Sequence, residues 1–197
     1  MNASCAQFHS LSESCPLSDN YQMRFDCGCC VLRPWAAGDE PSLLRHANNY
    51  KIWRNLRDGF PHPYTLADAK QWISFAQQKS PQTLFAVEVG GEAVGSVGLF
   101  AKSDIERLSA EIGYWIGETT WGKGIATAAV RALSTYGFKE LGLTRIFAVP
   151  LVSNPASMRV LEKAGYVREG VLRRSAIKEG IVLDQVLYAI TDMDVLP

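Results

Sequence analysis

Two glycines and a lysine stand where a strand gives way to a helix, in Trp121-Gly122-Lys123-Gly124-Ile125-Ala126-Thr127. Upstream, Glu111-Ile112-Gly113-Tyr114-Trp115-Ile116 is bulky and apolar enough to be a strand. Downstream, Ile125, Ala129, Leu133 and Tyr136 recur at helical spacing. Gly122 and Gly124 therefore fall at a helix N-terminus, where the first N–H groups lack intrahelical partners and the dipole is positive. Such a place suits phosphate, and the missing side chains let phosphate reach the backbone. An ordinary glycine turn is the alternative. A second chemical group is Glu111, a carboxylate in a strand otherwise built for burial, where an unpaired charge is costly. It is either tied in an ion pair, with Arg107 or a lysine, or kept for proton transfer. A third is Asn154-Pro155-Ala156-Ser157, which puts a capping amide and a hydroxyl in the first turn of another helix.

These groups need a scaffold, and the chain supplies its signals in order. Met23 to Trp35 reads as a first strand. Asp39 is placed to cap a helix from about Glu40 to Asn48, with Pro41 in its first turn. Tyr50 to Leu56 adds a helical turn or two. Gly59-Phe60-Pro61-His62-Pro63-Tyr64 is an aromatic loop stiffened by two prolines. Thr65 with Asp68 resembles a capping box in its weaker Asp form, opening a helix with Ala69, Trp72, Ile73 and Ala76 on one face. Leu84–Val89 and Glu92–Phe100 flank Gly90-Gly91 as a hairpin with a primed turn.

Ser109–Ile116 is the next strand, with Glu111, Gly113 and Trp115 on one face and Ile112, Tyr114 and Ile116 on the other. The glycine-opened helix runs to about Leu141, with Gly142 as a left-handed residue after it. Arg145–Val152 then returns as a strand, parallel to Ser109–Ile116 by the handedness of crossovers. The helix opened by Asn154-Pro155 ends at Gly165. Tyr166–Ala176 and Val182–Ile190 close the chain as a strand pair.

The 197 residues suit one domain with a real core, and a formal net charge of zero gives no reason to expect nucleic acid as a partner. No apolar run approaches the roughly 20 residues of a membrane helix. Residues 1–22 form an N-terminal extension without a clear period, partial disorder being one option, and residues 23–197 form the domain. The extension lacks the basic and apolar regions of a secretory signal, so the cytoplasm is the default. Cys27, Cys29 and Cys30 cluster as C-x-C-C, but no fourth ligand pair accompanies them. Reduced thiols on a strand are expected, and no metal.

Together, Leu32-Arg33-Pro34-Trp35, the Glu111–Ile116 strand with its Trp121–Thr127 turn, and Asn154–Tyr166 resemble the GNAT superfamily of acetyl-CoA-dependent N-acetyltransferases. Within it they are most similar to the ribosomal-protein (Rim-type) branch. The resemblance spans Val31 to Ile190. It implies a single α/β (α+β) domain with a mixed, mostly antiparallel central sheet flanked by helices. It also implies acetyl-CoA as co-substrate. The pyrophosphate side would meet N–H groups from Gly122 to Thr127, with Trp121, Lys123 and Asn154 nearby. The pantetheine arm would pair with Trp115 and Ile116, and an N–H near Tyr114 would face the developing oxyanion.

Two departures from the family pattern matter. The glycine motif begins with Trp121 rather than Gln or Arg. Leu161 stands where many members have a tyrosine that protonates the departing thiolate, so Ser157 is the available hydroxyl. Glu111 is the candidate general base, directly or through a water. Trp53, His62 and Tyr64 are candidates for the acceptor wall. The acceptor is an amine: a protein or peptide N-terminus is favoured over a small molecule such as an antibiotic or polyamine. Monomer and homodimer both stay open. Two alternatives compete. Gly117 to Gly124 matches a nucleotide-binding P-loop until Gly124 stands where Ser or Thr must hold magnesium. A catalytically silent CoA-binding module is the other.

Overall fold

The computed structural model describes residues 23–195. The expected extension and its Cys5 and Cys15 lie outside them. Eight strands form one sheet: β1 (Phe25–Asp26), β2 (Val31–Pro34), β3 (Leu84–Val89), β4 (Glu92–Ala101), β5 (Ser109–Ile116), β6 (Arg145–Ala148), β7 (Val167–Lys178) and β8 (Ile181–Thr191). Their spatial order is β1-β2-β3-β4-β5-β6-β8-β7, and only β5 with β6 is parallel. The expected mixed, mostly antiparallel sheet is the one found.

Helices cover both faces. On one lies α4 (Ile125–Lys139), whose Ile125, Ala129, Leu133 and Tyr136 are buried against Val97, Leu99, Ile112 and Ile146. A fully buried Val, Leu or Ile among them stabilises by about 1.5–3 kcal/mol relative to exposure. On the other lie α1 (Glu40–Ala47) and α3 (Leu66–Gln77), joined by the single turn α2 (Tyr50–Trp53); Leu43, Ala69, Ile73 and Ala76 pack there on Trp35, Leu84 and Ala86. The last helix, α5 (Pro155–Ala164), docks beside α4.

Local signals hold where they are strongest. Gly90 and Gly91 both take positive φ in the β3–β4 turn. The Thr65–Asp68 box is closed from both sides, Asp68 N–H to Thr65 Oγ1 and Thr65 N–H to Asp68 Oδ2. Three expectations need correction. Met23–Trp35 is a hairpin rather than one strand. The chain turns at Gly28, where Cys27 N–H donates to the Cys30 carbonyl at 2.9 Å and Gly28 N–H to Asp26 Oδ1. The three thiols thus sit in and beside a turn, Cys29 exposed and Cys30 buried. Asp39 precedes α1 without capping it by its side chain. Its carboxylate is spent on Arg33, at 2.7 and 2.8 Å, and on the Ala36 N–H. A buried guanidinium outcompetes a helix N–H for it, being the costlier group to leave alone. Finally, the regular β6 ladder stops at Ala148; beyond it Leu151 bridges to Gln185, Val186 N–H donates to the Pro150 carbonyl and Val152 N–H to the Asp184 carbonyl.

Candidate functional site

That early stop creates the site. β5 pairs with β6 only over Ser109–Glu111, then continues to Ile116 beside β4 alone. Past Ala148 the neighbouring chain stays on β8 through Val152 but parts from β5 before α5 begins, so a gap opens beside the second half of β5. Hydrogen bonds from Lys102 N–H to Ser109 and from Gly117 N–H to Val94 bracket the β4–β5 ladder. Alternation then turns the backbone of Glu111, Gly113 and Trp115 toward β4, and that of Ile112, Tyr114 and Ile116 toward the gap. The Ile116 carbonyl is already taken, by Trp121 Nε1 at 2.6 Å. Backbone groups of Tyr114 and the Ile116 N–H therefore face the gap, while those of Trp115, expected to pair there, do not.

A cavity of about 650 Å³ lies on the α4 side. Gly122 and Gly124 take φ of +78° and +77°, with Gly124 at the N-cap of α4. A Cβ on either would meet nothing within 4 Å, so conformation and access, not crowding, call for glycine. The first helical bond is Ala128 N–H to Gly124. The N–H groups of Ile125, Ala126 and Thr127 precede it and lack helical partners. Lys51, Arg54, Lys123, Arg159 and Lys163 also line this cavity, and no carboxylate does among the described residues. Of these only Lys123 was singled out from the sequence. Lys51 and Arg54 arrive from α2, Arg159 and Lys163 from α5, one helical turn apart in each case. Lys51 is paired with Glu118, and its ammonium together with the Asn49 amide holds that carboxyl below the usual range.

A second cavity, of about 930 Å³, lies on the α3 side. Phe60, Tyr64, Trp72, Phe75, Phe100 and Trp115 supply its aromatic lining, and Arg57, Asp58, Asp68, Glu111 and Lys178 its charges. Tyr114, Trp115, Asn154 and Ser157 border both cavities, which meet at the β5 gap.

At that meeting point the Tyr114 hydroxyl lies 2.8 Å from Ser157 Oγ and donates to the Ser157 carbonyl at 3.1 Å. Burial pushes the Tyr114 phenol well above the usual tyrosine range, with the serine contact acting the other way. It is a protonated donor at neutral pH. Asn154 caps α5 through Ser157 N–H at 3.1 Å. Leu161, in the place of the missing tyrosine, is fully buried in the core. A phenol thus reaches this region from β5 instead of α5, a pairing the sequence spacing alone does not reveal.

Glu111 lines the larger cavity with 19% of its side chain exposed, paired with Arg57 rather than Arg107 or a lysine. Of the three acceptor-wall candidates, only Tyr64 lines the cavity. His62 stacks on Trp53 with ring centroids 5.2 Å apart, outside it. Trp53 instead carries Lys178 Nζ, 3.9 Å above its ring. Lys178, 5% exposed, donates to Asp58 at 2.8 Å, and the Tyr50 hydroxyl donates to Glu179 at 2.9 Å. The tip of the β7–β8 hairpin is thereby fastened to α2 and the loop after it.

A parallel strand pair parts around a glycine-opened helix, and residues 30–167 match the acetyltransferase (GNAT) domain. The chain belongs to the GNAT acetyltransferase family. It is 38% identical over 164 residues to the uncharacterized N-acetyltransferase YnaD of Bacillus subtilis, covering 82% of this chain and 93% of that one. It is 34% identical over 96 residues to the ribosomal-protein-serine acetyltransferase of Escherichia coli, covering 47% and 53%. The crystal structure of Mycobacterium smegmatis RimJ in complex with CoA-disulfide superposes with a TM-score of 0.75 at 27% identity, over 87% of this chain and 86% of that one. These likenesses support the Rim-type branch. The match spans about half the length of the first curated relatives, 54–56%. Membership displaces the P-loop alternative. No helix among the described residues is long and apolar enough to cross a membrane.

Proposed function

We propose that this protein transfers the acetyl group of acetyl-CoA to a primary amine, and that the amine is the N-terminus of a protein or peptide. The observation that carries the first half is the smaller cavity. Among the described residues five cations, no carboxylate and the free N–H groups of α4 converge there, as a molecule bearing several phosphates requires. Acetyl-CoA supplies an activated thioester. The β5 gap admits its arm, with the Tyr114 N–H aimed where negative charge grows on the thioester oxygen.

The amine reaches that carbonyl from the larger cavity. Glu111, directly or through a water, accepts the proton of the attacking nitrogen; the new C–N bond forms as the C–S bond breaks. The sulfur leaves as thiolate or takes a proton from the hydrogen-bonded Ser157–Tyr114 pair. A thiol with a pKa of about 8.5 leaves tolerably without a strong acid.

Acid–base magnitudes favour the α-amine. With a pKa near 8 it is roughly one-tenth neutral at pH 7, against about one part in a few thousand for a lysine near 10.4. With one carboxylate proposed as base, the α-amine is the easier nucleophile. The name of the E. coli relative, a ribosomal-protein-serine acetyltransferase, agrees with a protein acceptor. CoA-thiol release should be measured on matched peptides, one with a free N-terminus and one N-blocked with a free lysine, beside a set of small amines. Preference for the blocked peptide or for a small amine overturns the acceptor half. Absence of release with every amine, despite acetyl-CoA binding, would indicate a silent module.

A further inference from the structure

Two cations border the acceptor cavity, and they differ in availability. Lys178 is buried and committed, with Asp58 at 2.8 Å and the Trp53 ring beneath it. Arg57 has 71% of its side chain exposed, and its carboxylate partner is Glu111. Half-exposed ion pairs of this kind stabilise little and exchange readily. If Glu111 receives the acceptor amine, which arrives mostly as ammonium, one carboxylate charge serves two cations, the amine and Arg57. Ammonium and guanidinium would then sit side by side, a repulsion that a protein environment screens only partly. Of the other carboxylates bordering the cavity, Asp58 is neutralised by Lys178, and Asp68 is held in the cap of α3 by the neutral Thr65 hydroxyl and N–H, with no ion-pair partner among the described residues. With Asp68 held in that cap, the missing anion comes with the acceptor.

We propose that Arg57 is the receptor for an acceptor carboxylate, so that the enzyme selects N-termini carrying Asp or Glu at the second or third residue. The incoming acid takes Arg57 as the incoming ammonium takes Glu111, and one ion pair becomes two. Those positions follow from reach. The guanidinium touches Glu111 in the free protein, and each extended residue advances the peptide by only about 3.3–3.6 Å.

The inference rests on the N-terminal acceptor proposed above, and one experiment separates the two. kcat/KM is measured with wild-type protein and saturating acetyl-CoA on three free-N-terminus peptides, identical except for Glu, Gln or Lys at positions two and three. A charge-assisted pair predicts a Glu over Gln preference of roughly tenfold to a hundredfold, with Lys the poorest. Arg57→Gln should bring the Glu/Gln ratio to about one, and Arg57→Lys should keep part of it. Equal rates in the wild type, or an undiminished ratio in Arg57→Gln, overturn this inference and leave the acceptor class standing. No turnover of any peptide by wild-type protein that binds acetyl-CoA overturns both. Calorimetric acetyl-CoA affinity checks that the variants are folded; should Arg57→Gln fail it, the wild-type ratio and Arg57→Lys decide.

Discussion

The two cavities that meet at Tyr114 are built on different principles. The smaller is made largely of backbone: two left-handed glycines, the opening turn of α4, and cations one helical turn apart on α2 and α5. Every one of its charges has the same sign. The larger is made of side chains from segments far apart in the chain, with aromatic rings for bulk and charges of both signs, Arg57 paired with Glu111, Lys178 with Asp58, and Asp68 held by Thr65. A surface of fixed N–H groups and one sign of charge suits a ligand that never changes. Exchangeable ion pairs and rings suit a partner whose side chains must be told apart.

The sharpest way to break that contrast is to put the wrong charge into the backbone cradle. Gly124→Asp should lower acetyl-CoA affinity by at least a hundredfold while the protein stays folded. The open space around a Cβ there means no clash, and Asp tolerates left-handed backbone better than most residues. Negative charge beside the free N–H groups opposes every phosphate. Calorimetry finding unchanged affinity in a folded variant would remove the assignment of the smaller cavity to acetyl-CoA.

On the other side, Glu111→Gln should cut kcat by about a hundredfold, the usual scale for losing a general base. Acetyl-CoA affinity should not move, since Glu111 borders only the larger cavity. Near-normal turnover in that variant would return Glu111 to a structural ion pair with Arg57.

The same division separates what the sequence announces from what it conceals. β5, the glycine turn, α4 and α5 were legible nearly to the residue. Their signals are local: alternation, glycines needing positive φ, Asn then Pro at a helix start. So was the Thr65–Asp68 box. The role of Asp39 was not, because its competitor Arg33 approaches only once β2 and α1 are packed. Nor was Arg57 as the partner of Glu111, 54 residues away, or Lys178 over Trp53. Residues 23–35 were apolar enough for one strand, and the hairpin there rests on the turn geometry around Gly28. Backbone-built sites write themselves into short motifs. Sites built by tertiary pairing do not.

Two phenols make a pH test, Tyr114, partly buried where the cavities join, and Tyr166, buried in the core. Burial raises the Tyr114 and Tyr166 hydroxyls above the ordinary tyrosine range, against a smaller opposing contribution from Ser157 and Ser134 respectively. A folded-state pKa above the unfolded value of about 10 means that the stability these groups contribute is complete below pH 10. It is lost as pH rises through the folded values. Above pH 10 each should cost up to about 1.4 kcal/mol per pH unit. Urea midpoints between pH 9 and 11 should therefore fall steeply in the wild type and less steeply in Tyr114→Phe. Identical slopes would mean that the contact with Ser157 does not shield the Tyr114 hydroxyl from water.

The gentlest test touches only the far wall of the larger cavity. Tyr50 donates to Glu179 from the exposed face of α2, and this bond helps fasten the β7–β8 tip, whose Ile177 and Lys178 line the cavity. Tyr50→Phe removes the hydroxyl and keeps the ring that packs near Trp53 and His62, at centroid distances of 5.8 and 6.0 Å. The bond is exposed and therefore weak, so the acceptor KM should rise only roughly twofold to fivefold. Lys178 and Asp58 still hold the tip, so kcat should change little. Tyr50 does not border the smaller cavity, although Lys51 beside it does. Acetyl-CoA affinity should therefore stay where it was. If Tyr50→Phe weakens acetyl-CoA binding as much as it raises the acceptor KM, α2 moves both walls together. The two cavities would then be one coupled site rather than two independently built ones.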